Sequence, residues 1–139
     1  MPDVSYELEL GYLRDAATGD PFPGLWVVVG HPDRYGELEI QCHLDSGTEI
    51  SLFDGQIAKG IGLELDRGEV QVYSSSTGAE LRARIHRVRL GNKELGEHEM
   101  TIGFSERGIV RNLLGRDFFS LFQIGFREKH TTLLLAPES

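Results

Sequence analysis

The residues of this chain best suited to chemistry are Asp45-Ser46-Gly47-Thr48, which follow the apolar residue Leu44. A carboxylate on a glycine-permitted turn after a strand can present an acid to a substrate, because the strand end holds its geometry while the loop stays accessible. Asp, Ser and Gly also dominate ordinary turns, and Asp-Ser/Thr-Gly occurs by chance in roughly one chain of this length in twenty. The motif alone therefore leaves a catalytic acid and a simple turn as alternatives.

The segment before Asp45 predicts the strand that delivers it to the turn. Polar and apolar residues alternate strictly from Glu37 to Leu44, which is typical of a strand with one buried face. The residues after the motif, 50–59, fit either a short helix or a strand followed by one turn of helix. The side chains predicted to face the interior are Leu38, Ile40, Cys42 and Leu44.

The rest of the chain reads as short strands separated by turns every eight to twelve residues, which indicates an all-β barrel or sandwich. One segment, 116–122, has apolar spacing that fits a helical face. The predicted strands and hairpins are a continuous apolar strand at 25–29, a hairpin of 69–73 and 79–85 around a small polar tip at 74–78, an apolar strand at 109–115, and a closing hairpin at 123–135.

Composition narrows the possible partners and surroundings. The formal net charge of −8 and a pI near 5.1 argue against a nucleic-acid-binding or anionic-membrane surface. No signal peptide or membrane span is evident, and the lone Cys42 suggests a reducing compartment, so a soluble cytoplasmic protein is expected. The five histidines lie in five different segments without the spacing of a metal site, and no cofactor is expected.

Three motifs in this order resemble the retropepsin-like aspartic proteases, the single-domain relatives of pepsin. They are the apolar strand into Asp45-Ser46-Gly47-Thr48, the hairpin with a Ser/Thr/Gly tip, and Leu113-Leu114-Gly115 leading into Arg116-Asp117. The resemblance implies a closed or partly open acid-protease β-barrel with a flap hairpin and one short helix near the C-terminus. We expect residues 25–139 to form this domain and residues 1–24 to form an N-terminal strand or arm.

The resemblance also implies a reaction, namely peptide-bond hydrolysis by a water held between two carboxylates that share one proton. This chain carries one Asp-Ser/Thr-Gly motif. The second carboxylate is therefore expected from Asp45 of a second copy in a twofold homodimer, with a peptide or unfolded protein as substrate.

Individual roles follow from the same resemblance. Asp45 would be the acid or base, Ser46 would bind across the dimer beneath the two carboxylates, and Gly47 would allow close approach of the substrate backbone. The residues expected to bind substrate are Thr48, Tyr73, Ser75, Ser76, Thr77, Gly78 and Leu113. For Leu113, packing in the core is the alternative role. The residues expected to support the site are Glu49, Ser51, Leu114, Gly115, Arg116 and Asp117, with Arg116 pairing with Glu49 and Asp117 accepting from the Ser51 hydroxyl.

Two other interpretations remain open at this point. The same fold could serve dimerisation or peptide binding with little or no turnover, or the chain could be an unrelated small β-barrel with a chance turn motif. The carboxylate favours an active endopeptidase, because a binding module has no chemical need for it.

Overall fold

The computed structural model describes residues 6–74 and 77–137, and most of them lie in short strands. The strands are β1 (Leu8–Gly11), β2 (Leu13–Arg14), β3 (Pro21–Phe22), β4 (Gly24–Gly30), β5 (Glu37–Leu44), β6 (Leu52–Asp54), β7 (Glu69–Ser74), β8 (Glu80–Asn92), β9 (Gly96–Ser105), β10 (Asn112–Leu114), β11 (Phe122–Arg127) and β12 (Thr132–Pro137). The all-β fold class predicted from the turn spacing is confirmed.

The main sheet closes on itself and surrounds the core. Its strand order is β4-β5-β10-β6-β9-β8-β7, and β4 also pairs with β8, so six strands form a ring to which β7 is added at the edge. The core side chains include Val27, Val29, Phe53, Val88, Ile102, Phe104 and Leu114. The strands are rich in β-branched and aromatic residues, which suit a pleated surface.

The described residues include two short α-helices, each of which follows a strand of this ring. Helix α2 (Arg116–Phe119) is the short helix predicted near the C-terminus, but it ends earlier than the predicted segment 116–122, because Phe122 begins β11 and pairs with β12. Helix α1 (Gly55–Gly60) directly follows β6, so the strand-then-helix alternative for residues 50–59 is the one observed. Asp54 caps α1 by accepting a 2.9 Å hydrogen bond from the Gln56 N–H, and this cap explains why the strand stops there.

The N-terminal segment contributes a strand to a second sheet of order β1-β12-β11. Strand β1 pairs antiparallel with β12, and β12 forms the closing hairpin with β11. Of the two alternatives for the N-terminal residues, the described part therefore contains a strand at a sheet edge.

Two details of the predicted strands are wrong. The strand expected at 109–115 is limited to β10, because the Ile109 N–H donates to the Asp54 side chain (3.2 Å) and Val110 is 97% exposed. Leu38 was expected to face inward but is 38% exposed, because it lies at the far end of β5 from the turn, where α1 and not the ring is its neighbour.

Candidate active site

Asp45 lies on a tight turn immediately after β5. Its backbone N–H donates to the Leu114 carbonyl (2.9 Å), and its own carbonyl accepts from the Thr48 N–H (3.2 Å). Its carboxylate oxygen Oδ1 accepts from the Gly47 N–H (2.8 Å), a local bond typical of Asp in turns. The Asp45 residue is half-buried, so the turn holds the backbone while part of the carboxyl group stays accessible.

Strand β10 braces this turn from the side. It lies between β5 and β6, parallel to β5 with Leu114 opposite Leu44, and antiparallel to β6 with Leu113 opposite Leu52. Segments far apart in the chain therefore meet at Asp45.

The glycine after β10 permits a close approach to the same turn. A Cβ atom placed on Gly115 would overlap the carbonyl oxygen of Thr48. That carbonyl accepts a 2.8 Å hydrogen bond from the Arg116 N–H. The beginning of α2 is thus joined to the Asp45 turn through the backbone.

Ser51 connects the far side of the turn to α2. Its side chain is fully buried; its hydroxyl donates to Asp117 Oδ1 (2.6 Å) and its N–H donates to Asp117 Oδ2 (2.9 Å). The same hydroxyl oxygen accepts from the Gly115 N–H (2.9 Å). The hydrogen bond expected from Ser51 to Asp117 is present, and it is charge-assisted and bidentate with the backbone N–H.

The expected ion pair between Arg116 and Glu49 is not formed among the described residues. Both side chains are exposed, and in water an exposed pair gains little over the entropy cost of ordering two long side chains. Backbone bonds connect these segments instead, because the Asp117 N–H donates to the Glu49 carbonyl (3.2 Å).

A cleft of about 570 Å³ opens beside Asp45, between its turn and the β7–β8 hairpin. Three of the residues expected to bind substrate line it, namely Thr48, Tyr73 and Leu113. Thr77 and Gly78 are exposed at the hairpin tip outside this lining, and Gly78 has the positive φ of 84° that such a turn requires. Ser75 and Ser76 lie outside the described residues, and Ser46 is exposed on the Asp45 turn.

Sequence reasoning missed several residues of this lining. Residues from both strands of the β7–β8 hairpin line the cleft, in addition to residues near its tip. Arg107, in the loop after β9, also lines it. The predicted hairpin could have suggested that its strand residues, and not just its tip, line a cleft. No signal in the sequence connects Arg107 with Asp45. The additional lining residues are Ile50, Leu52, Gln71, Val72, Glu80, Leu81 and Arg107; Ser74 and Ala79, at the two ends of the predicted hairpin tip, line the cleft as well.

The side chain of Tyr73 connects the β7–β8 hairpin with the residue before β6. The phenol O–H donates to the Ser51 carbonyl at 3.4 Å. Burial, aided by the nearby Asp117 carboxylate, raises the pKa of Tyr73 well above its ordinary value. The hydroxyl therefore stays protonated and available as a donor to Ser51.

His43 lies two residues before Asp45 and belongs to a second groove. Its ring stacks on Phe22 with centroids 3.8 Å apart, and both residues line a groove of about 660 Å³ with Arg111 and Asp15. Burial, followed by the Arg111 guanidinium, lowers the pKa of His43 below its ordinary value. Folding therefore disfavours protonation of the His43 ring.

In the described part of the chain, no group of three or more His, Cys, Asp or Glu side chains could hold a metal ion. Within residues 6–74 and 77–137, none of the helices has the length and apolar character needed to cross a membrane.

Comparisons with known proteins agree with this architecture. No protein-family model matches the chain, and no curated protein matches it significantly. Among solved structures, a retropepsin-like aspartic protease from Rickettsia conorii has a TM-score of 0.62 and 18% sequence identity over 97% of this chain and 96% of its own. EIAV protease complexed with the inhibitor HBY-793 has a TM-score of 0.54 and 14% identity over 76% of this chain and 91% of its own.

The chain therefore has the retropepsin fold, and the resemblance predicted from its three motifs is confirmed at the level of the fold. At sequence identities of 14% and 18%, these similarities establish the fold and do not establish an activity.

Proposed function

We propose that this protein is an aspartic endopeptidase that acts as a homodimer, with Asp45 of each copy contributing one of two catalytic carboxylates. The observation that carries the proposal is the position of Asp45: a half-buried carboxylate on a braced turn that opens into a cleft of about 570 Å³. Rigid support combined with access is what a group that transfers protons to a bound substrate requires.

A twofold dimer completes the chemistry. Two carboxylates a few ångströms apart cannot both ionise, so the pair holds one proton. The ionised carboxylate takes a proton from water as the water oxygen attacks the scissile carbonyl carbon, and the protonated carboxyl group donates its proton to the carbonyl oxygen. The tetrahedral intermediate then collapses as the C–N bond breaks: the carboxyl group that took the proton from water gives it to the departing nitrogen, and the other carboxylate takes a proton from a hydroxyl group of the intermediate, so the pair again holds one proton.

Thr48 adds a hypothesis about the working pH. Its hydroxyl stands three residues after Asp45, where a donor to the ionised carboxylate would favour that form and an acidic pH optimum. A pH-rate profile with a neutral optimum would count against this role.

The test is hydrolysis of an unfolded protein and a mixed peptide library between about pH 3 and 8, with and without pepstatin. We expect Asp45→Asn to lower the rate by about a thousandfold or more, because an amide cannot exchange the proton. Asp66→Asn is the matched control, since Asp66 is an exposed aspartate outside the cleft. A wild-type protein that cleaves no substrate would overturn the proposal, and a dimer that binds peptide without cleaving it would favour a binding role for the fold.

Mixing the two forms tests the shared site directly. When wild-type and Asp45→Asn subunits exchange freely, activity should fall with the square of the wild-type fraction, because a mixed dimer has one Asp45. A linear fall, or a stable monomer that cleaves, would contradict the dimeric mechanism.

A further inference from the structure

Tyr73 lines the cleft, and its side chain contacts residues outside the β7–β8 hairpin to which it belongs. Strand β7 is at the edge of the main sheet, and among the described strands it pairs with β8 alone. The Tyr73 hydroxyl reaches across to the Ser51 carbonyl, which also accepts a 2.9 Å hydrogen bond from the Gly103 N–H. The side chain thus connects β7 with β9 and with the segment that leads from the Asp45 turn into β6.

Gly103 provides the space for the tyrosine ring. A Cβ atom on Gly103 would overlap the Tyr73 hydroxyl and lie 3.1 Å from Cζ and 3.2 Å from Cε1, and these three atoms are its nearest neighbours. The backbone of Gly103 is not in the left-handed region, so its φ does not require glycine. The absent side chain at this position of β9 is therefore explained by the ring that occupies its place.

Packing of the Tyr73 ring holds the side chain in place more strongly than its hydrogen bond to Ser51. An O–H···O bond is typically about 2.7–2.8 Å long, so the 3.4 Å contact with Ser51 is weak. The ring, by contrast, packs directly on the backbone of β9, where close contacts add up. Removing the hydroxyl should therefore have a small effect, and removing or displacing the ring a large one.

We infer that Tyr73 is a positioning residue that seats its ring at Gly103 and so sets the height of the hairpin above Asp45 and the width of the cleft. Its neighbours Val72 and Ser74 line the cleft on the same strand, so a shift of Tyr73 moves them as well. The inference rests on the proposed function, because it concerns how substrate is held in that cleft.

A double-mutant cycle on thermal stability tests the contact between Tyr73 and Gly103. Gly103→Ala should lower Tm by roughly 5 °C or more, because the new methyl group meets the Tyr73 hydroxyl and the ring carbons next to it. In a Tyr73→Ala background the same substitution should be neutral or stabilising, since the ring is gone and Ala suits a strand better than Gly. Gly91→Ala on β8 is the matched control, because the nearest atom to its added Cβ is 3.9 Å away.

Kinetics test the positioning role. At temperatures well below Tm, Tyr73→Ala and Gly103→Ala should each lower kcat/KM by about tenfold, chiefly through KM, because the hairpin contacts bound substrate and not the reacting water. Tyr73→Phe keeps the ring and should stay within about threefold of the wild type. The pH dependence of kcat should not change in any of these variants.

The outcomes separate the two proposals. If the wild type cleaves and both ring variants keep its KM, or if the cost of Gly103→Ala persists undiminished without Tyr73, the positioning role is wrong while the endopeptidase remains. If the wild type cleaves nothing, the proposed function fails, and the role of Tyr73 in it fails as well.

Discussion

The hydroxyl of Ser51 and the carboxylate of Asp117, 66 positions apart in the chain, form a 2.6 Å hydrogen bond beneath the Asp45 turn. The same hydroxyl accepts from the Gly115 N–H, so one small buried side chain ties β6, β10 and α2 together. This bond is the central support of the proposed active site.

Ser51→Ala should destabilise the protein by about 1–3 kcal/mol, because it leaves the buried Gly115 N–H without its acceptor and removes one of the two donors to Asp117 Oδ1, which keeps the Phe118 N–H. Urea unfolding measures the difference. Ser120→Ala is the control: that exposed hydroxyl donates to the Asp117 carbonyl (2.7 Å), and its loss should cost about 0.5 kcal/mol or less. An equal loss of unfolding free energy in the two variants would contradict the structural role assigned to Ser51.

Gly115→Ala should destabilise the protein by about 1–3 kcal/mol and lower peptide hydrolysis, because the added methyl group meets the Thr48 carbonyl and shifts the Asp45 turn. Gly108→Ala adds the same atom where the nearest neighbour, Asp54 Oδ2, is 3.8 Å away, and should leave both quantities near wild type. Thermal unfolding and kcat/KM on the same samples check the prediction, which fails if the two glycines respond alike.

His43 should make stability depend on pH. Its pKa is lowered in the folded state, so the unfolded chain binds more protons on acidification, and stability rises with pH. The contribution is present above the ordinary value of about 6.5 and is lost as pH falls through and below it. Urea unfolding between about pH 7.5 and 5 should show a shallower pH dependence for His43→Gln than for the wild type.

The control for this prediction is His130→Gln, which replaces an exposed histidine outside the groove of His43 and so measures the effect of the His-to-Gln change itself. An NMR titration in which the His43 ring protonates at or above about pH 6.5 would contradict the assignment.

Cys42 should be unreactive in the folded protein. Its side chain is fully buried in the ring of strands, and burial raises the pKa of the thiol. Iodoacetamide at about pH 8 should leave the native mass unchanged and add one label after unfolding in urea. Rapid labelling of the native protein would show that the β5 region opens readily.

Local patterns in the chain were sufficient for much of the fold. Alternation in 37–44 predicted β5 and the delivery of Asp45 to a turn, and the Ser/Thr/Gly tip predicted the β7–β8 hairpin. The hydroxyl of Ser51 and the carboxylate of Asp117 were paired correctly only through the family resemblance, since nothing within either segment points to the other.

Side-chain periodicity and turn chemistry are local, so the sequence was enough to predict the burial of Cys42 and Leu44 and the position of the acidic turn, although not the exposure of Leu38. Only the tertiary structure decided that Arg107 joins Asp45 in one cleft, that Arg116 and Glu49 remain unpaired with each other, and that Tyr73 rests on Gly103. These contacts depend on strand order and on the packing of side chains from distant segments, which short-range patterns do not specify.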